Sequence, residues 1–308
     1  MAPIATYVFL DLETTGLPVE ECNKTRITEL SLIAVKRSHI LDSNKGGSPR
    51  VQQKLTLCFN PGKLIYPQCT EITGLCNDLL EFESPFNKEA FNTINGFLNL
   101  LSKPVCLVAQ NGLKFDFPIL RNHINSLGVS FADDLLCADC LHAFFDVLKQ
   151  KSVVVTPSDG YIDNMTSEED SGVDEVDLYF LSNTLHMQEI NERTPKKSGF
   201  SNNVLETPRK AQVPRNVRGG YSKVRRRVFW DETSQVSRPK PKESYKLKHI
   251  YERIFNRPCI EAHRAENDCT IALQCSVALA KEFVLWVDQN HCLFSEVKPM
   301  TIGVPLGQ

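Results

Sequence analysis

The chain has 308 residues, 42% of them hydrophobic, which is enough to bury a full core in one large domain or two modest ones. A formal net charge of -2 excludes a whole-molecule basic signature, so any nucleic-acid contact has to come from local patches. Eleven cysteines without a regular framework argue against a secreted disulfide scaffold, and no apolar run approaches the roughly 20 residues that cross a bilayer.

Tyr7 to Leu12 reads as a strand ended by the turn residues Thr14, Thr15, Gly16 and Pro18, and Glu29 to Ile40 reads as a second, long strand. Two consecutive strands suggest a hairpin. Leu55 to Phe59 is a third strand, stopped by Asn60, Pro61 and Gly62, and Pro85 to Leu101 has helical apolar spacing. Val105 to Ala109 is wholly apolar, as expected at a sheet centre covered on both faces. Pro118 suits the first turn of a helix whose apolar members Ile119, Leu120, Ile124 and Leu127 end at Gly128. Leu135 to Ala138 and Leu141 to Leu148 continue the strand and helix alternation, which predicts an α/β fold with a mixed sheet.

From about Lys151 to Pro241 apolar periodicity fades and the charges separate into blocks, an acidic one around Glu168 to Asp177 and a basic one from Arg193 to Arg227. This reads as a charged, largely disordered insert between two parts of one domain, residues 1–150 and 242–308. A self-screening linker is one reading of it; a nucleic-acid tether or nuclear address, with KVRRR at Lys223 to Arg227, is the other. Tyr245 to Phe255 and Ala265 to Val287 read as helices that complete the fold. With no signal-peptide pattern at the N-terminus, a cytoplasmic or nuclear protein is expected rather than a secreted or membrane-anchored one. Cys137 and Cys140 form a lone CxxC without a second ligand pair, so buried free thiols are expected rather than a zinc site.

Five side chains stand out. Asp11 and Glu13 are two apart on a strand and therefore point the same way at its end. Carboxylates so placed repel one another unless a hard divalent cation lies between them; a solvated turn is the plainer alternative. Asp116, between Phe115 and Phe117 just before a helix, gains from the helix N-terminal field, and capping alone would also account for it. Counting three, four, seven and eleven residues on from Asp268 gives Ile271, Ala272, Cys275 and Leu279, an apolar stripe, so Asp268 projects toward the core side and needs a partner or a metal. His263, just upstream, reads equally as a structural histidine. Together the five suit phosphodiester hydrolysis by two metal ions, in which one ion activates water, the other stabilises the leaving oxygen, and a histidine takes the proton.

At these residues the chain resembles a known group of enzymes. DLETTGLP, EITGL (Glu71 to Leu75), LVAQNGLKFDFP and AHRAENDCTIAL are similar to the motifs of the DEDDh exonucleases, and TELSLIAV, KLTLCFNPGK and SYKLKHIYERIF are similar to the three-prime repair exonuclease family within them. The resemblance covers roughly residues 4–150 and 242–305. It implies an RNase H-like fold with a central mixed five-stranded sheet flanked by helices. Asp11, Glu13, Asp116 and Asp268 would be ligands of two Mg2+ ions, with Mn2+ able to substitute, and His263 the general base. Glu13, Thr14, Leu17, Ile72, Phe115, Ser244, Tyr245 and His263 would contact the substrate, although Leu17 and Ile72 would fit a core equally well. The substrate would be single-stranded or frayed DNA 3′ ends, cut to 5′-mononucleotides in repair or DNA degradation. A homodimer would join through the edge strand Leu55 to Phe59, covering an edge otherwise open to aggregation. Gln110 and Lys114 replace a histidine and an arginine common in the family, and Lys114 is a weaker bidentate phosphate ligand. An exoribonuclease with the same motifs, or a catalytically silent nucleic-acid-binding module using the basic insert, are the alternatives.

Overall fold

The computed structural model describes residues 2–44, 47–154, 245–259 and 263–301. The acidic and basic blocks of the expected insert, and Ser244, lie outside the described residues.

The elements run β1 (Thr6–Thr14), β2 (Ile27–Lys36), α1 (Arg37–Asp42), β3 (Gln53–Cys58), α2 (Pro67–Thr73), α3 (Asn77–Leu80), α4 (Lys88–Asn99), β4 (Val105–Ala109), α5 (Asp116–Ser126), β5 (Leu136–Asp139) and α6 (Cys140–Val154). They resume with α7 (Leu247–Phe255), α8 (Ala265–Ala278), α9 (Ala280–Asn290) and β6 (Cys292–Leu293). The sheet order is β3-β2-β1-β4-β5-β6. β1 pairs antiparallel with β2 as the hairpin pattern predicts, and parallel with β4, which in turn runs parallel to β5. This is the mixed α/β sheet expected of an RNase H-like fold, with one strand more than the expected five. The addition, β6, is two residues long and pairs Leu293 and Cys292 with Leu136 and Cys137, too short to carry a periodic signal.

Alternation along β1 sorts the core into two layers. Tyr7 and Phe9 join Ile33, Val35, Phe144, Ile271, Cys275 and Phe283 on one face. Val8, Leu10 and Leu12 join Leu30, Leu32, Phe91, Ile94, Leu98 and Phe117 on the other. α4 shows why its sequence coils: Asn87 accepts the Ala90 N–H as its N-cap, and Phe91, Ile94 and Leu98 bury one stripe. β4 is buried at every position, as its unbroken apolar run requires.

Two sequence-based boundaries are corrected. The second strand ends at Lys36, not Ile40, because Thr6 opposite Lys36 is the first residue of β1 and no ladder partner exists beyond it. Residues Arg37–Asp42 coil into α1, which buries Ile40 and lets Arg37 grip Asp288 through two bonds of 2.9 and 2.7 Å while also donating to the Tyr7 hydroxyl. The single helix expected over Ala265 to Val287 is two helices, α8 and α9, bent by 106° at Leu279. Neither Pro nor Gly marks the bend. Packing imposes it by turning Phe283 against Phe9, Tyr7 and Phe144, at ring-centroid separations of 6.3, 6.2 and 5.8 Å. No single helix among the described residues is long and apolar enough to cross a membrane.

Candidate active site

The parity that places Tyr7 and Phe9 under α8 continues to Asp11 and Glu13, so the end of β1 turns two carboxylates toward that helix. Asp268 comes up from the first turn of α8, while Ile271, Ala272 and Cys275 on the same stripe are buried beneath it. Asp11, Glu13 and Asp268 each offer an oxygen within 4.8 Å of the others, a geometry that can hold a divalent metal ion. Asp116, 2% exposed at the start of α5, lies behind them and accepts the Leu12 N–H at 3.1 Å. Four carboxylates from one strand and two helices thus meet at the carboxyl ends of the parallel pair β1 and β4, where open α/β sheets leave a crevice.

The electrostatics of the group without metal are strained. Burial raises the Asp11 carboxyl well above the ordinary carboxylate range, and the charges of Asp116, Glu13 and Asp268 raise it further. Glu13 is pushed up to about 8 by burial and by Asp268, Glu29 and Asp116. Asp116 is likewise pushed up to about 8 by burial, against the lowering effect of the backbone N–H groups it accepts. Asp268 is raised by burial. Crowded, half-desolvated oxygen donors with no cationic side chain among their ligand atoms suit a hard divalent cation, which would supply the missing positive charge.

His263 is exposed, with a positive φ of 76°, and its backbone N–H donates to Asp268 Oδ2 at 2.8 Å. It therefore shares an anchor with the cluster while its imidazole remains accessible to solvent.

Three loops frame the group. Gly16, after the DLETT strand exit, is required because a Cβ there would lie 2.7 Å from the Tyr66 ring, and the Tyr66 N–H donates to the Thr15 carbonyl at 2.8 Å. That contact ties the segment entering α2 to the end of β1. α2 carries the start of EITGL in an unpredicted helix of about two turns, closed by Gly74 at φ 74°. Ile72 is 52% exposed on it, so of the two readings open from sequence the core one fails; Leu17 is only partly exposed. Thr14 is buried and donates to the Gly16 carbonyl at 3.1 Å. Phe115, partly buried, caps the start of α5. Tyr245 packs its ring on Phe145, with centroids 4.8 Å apart, under the Arg253 guanidinium, and its carbonyl accepts from Gln110 Nε2 at 2.9 Å. Gln110 is thus more than a departure from a pattern, since it fastens the loop after β4 to residue 245.

Sequence reading passed over two further carboxylates. Asp139, 1% exposed at the end of β5, accepts the N–H groups of Asn111 at 2.9 Å, Leu113 at 3.1 Å and Leu141 at 3.1 Å, and so shapes the turn that delivers Phe115 and Asp116. Glu29, 6% exposed in β2, stands opposite Glu13 in the ladder. The signal was a lone charge in an otherwise apolar strand, in TELSLIAV and in LLCADC. Cys137 and Cys140 are buried free thiols, and Cys137 Sγ lies 3.5 Å from Cys292 Sγ.

The chain matches no protein-family model. It is similar to three-prime repair exonuclease 1 of Bos taurus, 29% identical over 311 residues that cover 97% of this chain and 71% of that protein. It is also similar to three prime repair exonuclease 2 of Mus musculus, 41% identical over 145 residues, or 45% of this chain and 60% of that protein. Among solved structures, E. coli exonuclease I in complex with a dT13 oligonucleotide superposes with a TM-score of 0.49 at 15% identity, over 92% of this chain and 43% of that one.

Proposed function

We propose that this chain, similar to three-prime repair exonucleases, is a metal-dependent 3′-to-5′ exodeoxyribonuclease that removes 5′-mononucleotides from single-stranded or frayed DNA ends. The observation that carries this reading is the convergence of Asp11, Glu13 and Asp268 to within 4.8 Å, with Asp116 buried behind them. In the proposal Asp11, Glu13, Asp116 and Asp268 hold two Mg2+ ions, which lower the pKa of a bound water and offset charge on the phosphate.

The chain's own groups do the rest. His263, accessible to solvent at the mouth of the cluster, takes the proton of the attacking water through its imidazole. Its backbone bond to Asp268 Oδ2 holds residue 263 beside the ligand set. Ile72, half exposed on α2, and Phe115, at the start of α5, offer apolar surfaces on which the terminal bases pack, with Leu17 beside the first motif. Thr14, Ser244 and Tyr245 contact the sugar-phosphate backbone. β3 has β2 as its only strand partner among the described residues, which leaves its outer edge for a second copy of the chain to extend the sheet through Leu55 to Phe59. The basic block from Arg193 to Arg227 acts as a nucleic-acid tether.

The deciding experiment is digestion of matched 5′-labelled DNA and RNA oligonucleotides with magnesium, calcium or a chelator. A ladder shortening one nucleotide at a time from the 3′ end, on DNA faster than on RNA and only with magnesium, is expected. Faster digestion of RNA would move the enzyme to the exoribonucleases, and cleavage surviving the chelator would end the metal reading.

A further inference from the structure

Four of the five crowded carboxylates near the cluster have a task in the proposed reaction, and Glu29 has none. It lies on the face of β2 that looks toward α8, in register with Glu13, and it is 6% exposed. An ionised glutamate so deeply buried needs partners. Its Oε2 accepts the N–H of Ala265, the first residue of α8, at 2.9 Å, and its Oε1 lies 3.9 Å from the Cys58 thiol. Both oxygens are thus turned to protein donors, and neither belongs to the group of Asp11, Glu13 and Asp268 that could grip an ion.

The first N–H groups of a helix have no partner within it, and a side chain at the N-cap normally supplies one. The N-cap of α8 is Arg264, which makes no side-chain cap bond. Glu29 fills that role from across the sheet, with its negative charge at the positive end of the helix dipole. One turn further on, Asp268 Oδ2 reaches back to the His263 N–H. The helix start is therefore held by two carboxylates in series: Glu29 fixes Ala265, and the turn so fixed carries both Asp268 and His263.

We infer that Glu29 is a positioning residue, the remote cap that sets the first turn of α8 so that Asp268 closes on Asp11 and Glu13 with His263 beside it. This rests on the reading of those residues as the metal-binding and catalytic group. Glu29 contacts no substrate and no reacting atom, and acts through the Ala265 amide.

The test uses the full chain with Glu29→Ala, Glu29→Gln and Glu29→Asp, read first by amide hydrogen exchange without metal and then by Mn2+ titration calorimetry and by kcat. Glu29→Ala is expected to speed exchange of the amides over 263–269 about tenfold, the opening that one lost cap allows, with β1 and β4 unchanged. Mn2+ affinity is expected to fall by about 10- to 100-fold, as when a group orienting a ligand is lost. Glu29→Gln keeps an oxygen for Ala265 and can turn its amide nitrogen toward the Cys58 sulfur, so it should restore both readouts. Unchanged exchange over 263–269 in Glu29→Ala, or equal damage in Glu29→Gln, overturns the proposal. Should Glu29→Ala not fold, Glu29→Asp decides, because its oxygens fall one methylene short of Ala265 while its charge stays; intact protection there overturns the cap. Failure of the metal reading would show separately, as undiminished cleavage by Asp268→Ala, and leaves the exchange result to be judged alone.

Discussion

On the sheet side of the acidic group, Asp11 and Glu13 ride on β1 opposite Ser31 and Glu29 of β2, just past Phe9, where the pairing of β1 with β4 ends between two buried apolar layers. On the helix side, Asp268 rides on the first turn of α8 and His263 lies two residues before that helix, held by the Glu29 bond to Ala265 and the Asp268 bond to His263. The first pair is placed mainly by the antiparallel ladder with β2, with Asp116 accepting the Leu12 N–H beyond the end of the β4 pairing. The second is placed by a few charge-assisted bonds, one of which comes from a proposed ligand itself. A site built so has a rigid wall and an adjustable one, and the adjustable wall carries the group assigned to move the proton. Loss of a ligand should therefore have opposite structural consequences on the two sides.

The largest expected effect tests that difference directly. Asp11→Asn and Asp268→Ala should each lower kcat by about a thousandfold or more, since each removes a ligand from ions that contribute several kcal/mol of charge stabilisation. Their metal-free stabilities should diverge. Asp11→Asn removes a charge whose burial and neighbours all disfavour it, so thermal unfolding should shift upward, as when a strained functional group is neutralised. Asp268→Ala deprives the His263 N–H of its acceptor, and exchange protection at that amide should be lost. Equal thermal shifts in the two variants would mean the walls do not differ.

How much of this was legible in the residues follows the same division. β4 was read to the residue, because an unbroken apolar run admits one packing, and α4 was read from its helical apolar spacing over Pro85 to Leu101, which the structure trims to Lys88–Asn99. The pairing of Asp11 with Glu13 followed from strand parity alone, and Asp268 from helical spacing over Ile271, Ala272 and Cys275. What could not be read was anything set by a distant partner. The end of β2 depends on where β1 begins, the bend at Leu279 on an aromatic cluster drawn from two other elements, β1 and α6, and β6 on a neighbour to pair with. Glu29 and Asp139 were passed over for the same reason. Each looks like an isolated charge in a strand until its amide partners, far along the chain, are known.

Asp139 sharpens the comparison from the sheet side, with a smaller expected effect. It accepts three backbone N–H groups and is 1% exposed, so Asp139→Ala removes the acceptor of three partly buried donors and should cost about 1–3 kcal/mol of stability, measurable by urea titration. Because it shapes the 110–115 turn and not β1, kcat should fall by about 10- to 100-fold, the loss typical of a group orienting a ligand, while Asp11 and Glu13 stay in place. A variant as unstable as expected but with full kcat would show that the turn scaffolds the fold without setting Asp116.

The last effect is a slope of stability with pH that comes from the buried carboxyls on and beside β1. In unfolded chain Glu13 and Asp116 titrate in the ordinary carboxylate range near 4, but in the metal-free fold each holds its proton up to about 8. Between those limits the native state binds more protons than the unfolded one, so the stability gradient with pH is negative. The metal-free protein should lose stability as pH rises through this window, the reverse of the usual pattern for carboxylates depressed by partners. Metal binding needs the ionised forms and competes with those protons, so the rise in Tm produced by Mn2+ should be larger near pH 8 than near pH 6. Differential scanning fluorimetry at the two pH values, with and without Mn2+, measures the sign. Repeating it with Glu13→Gln, which removes one of these two titrations, should flatten the metal-free slope, and an unflattened slope would place the proton uptake outside Glu13.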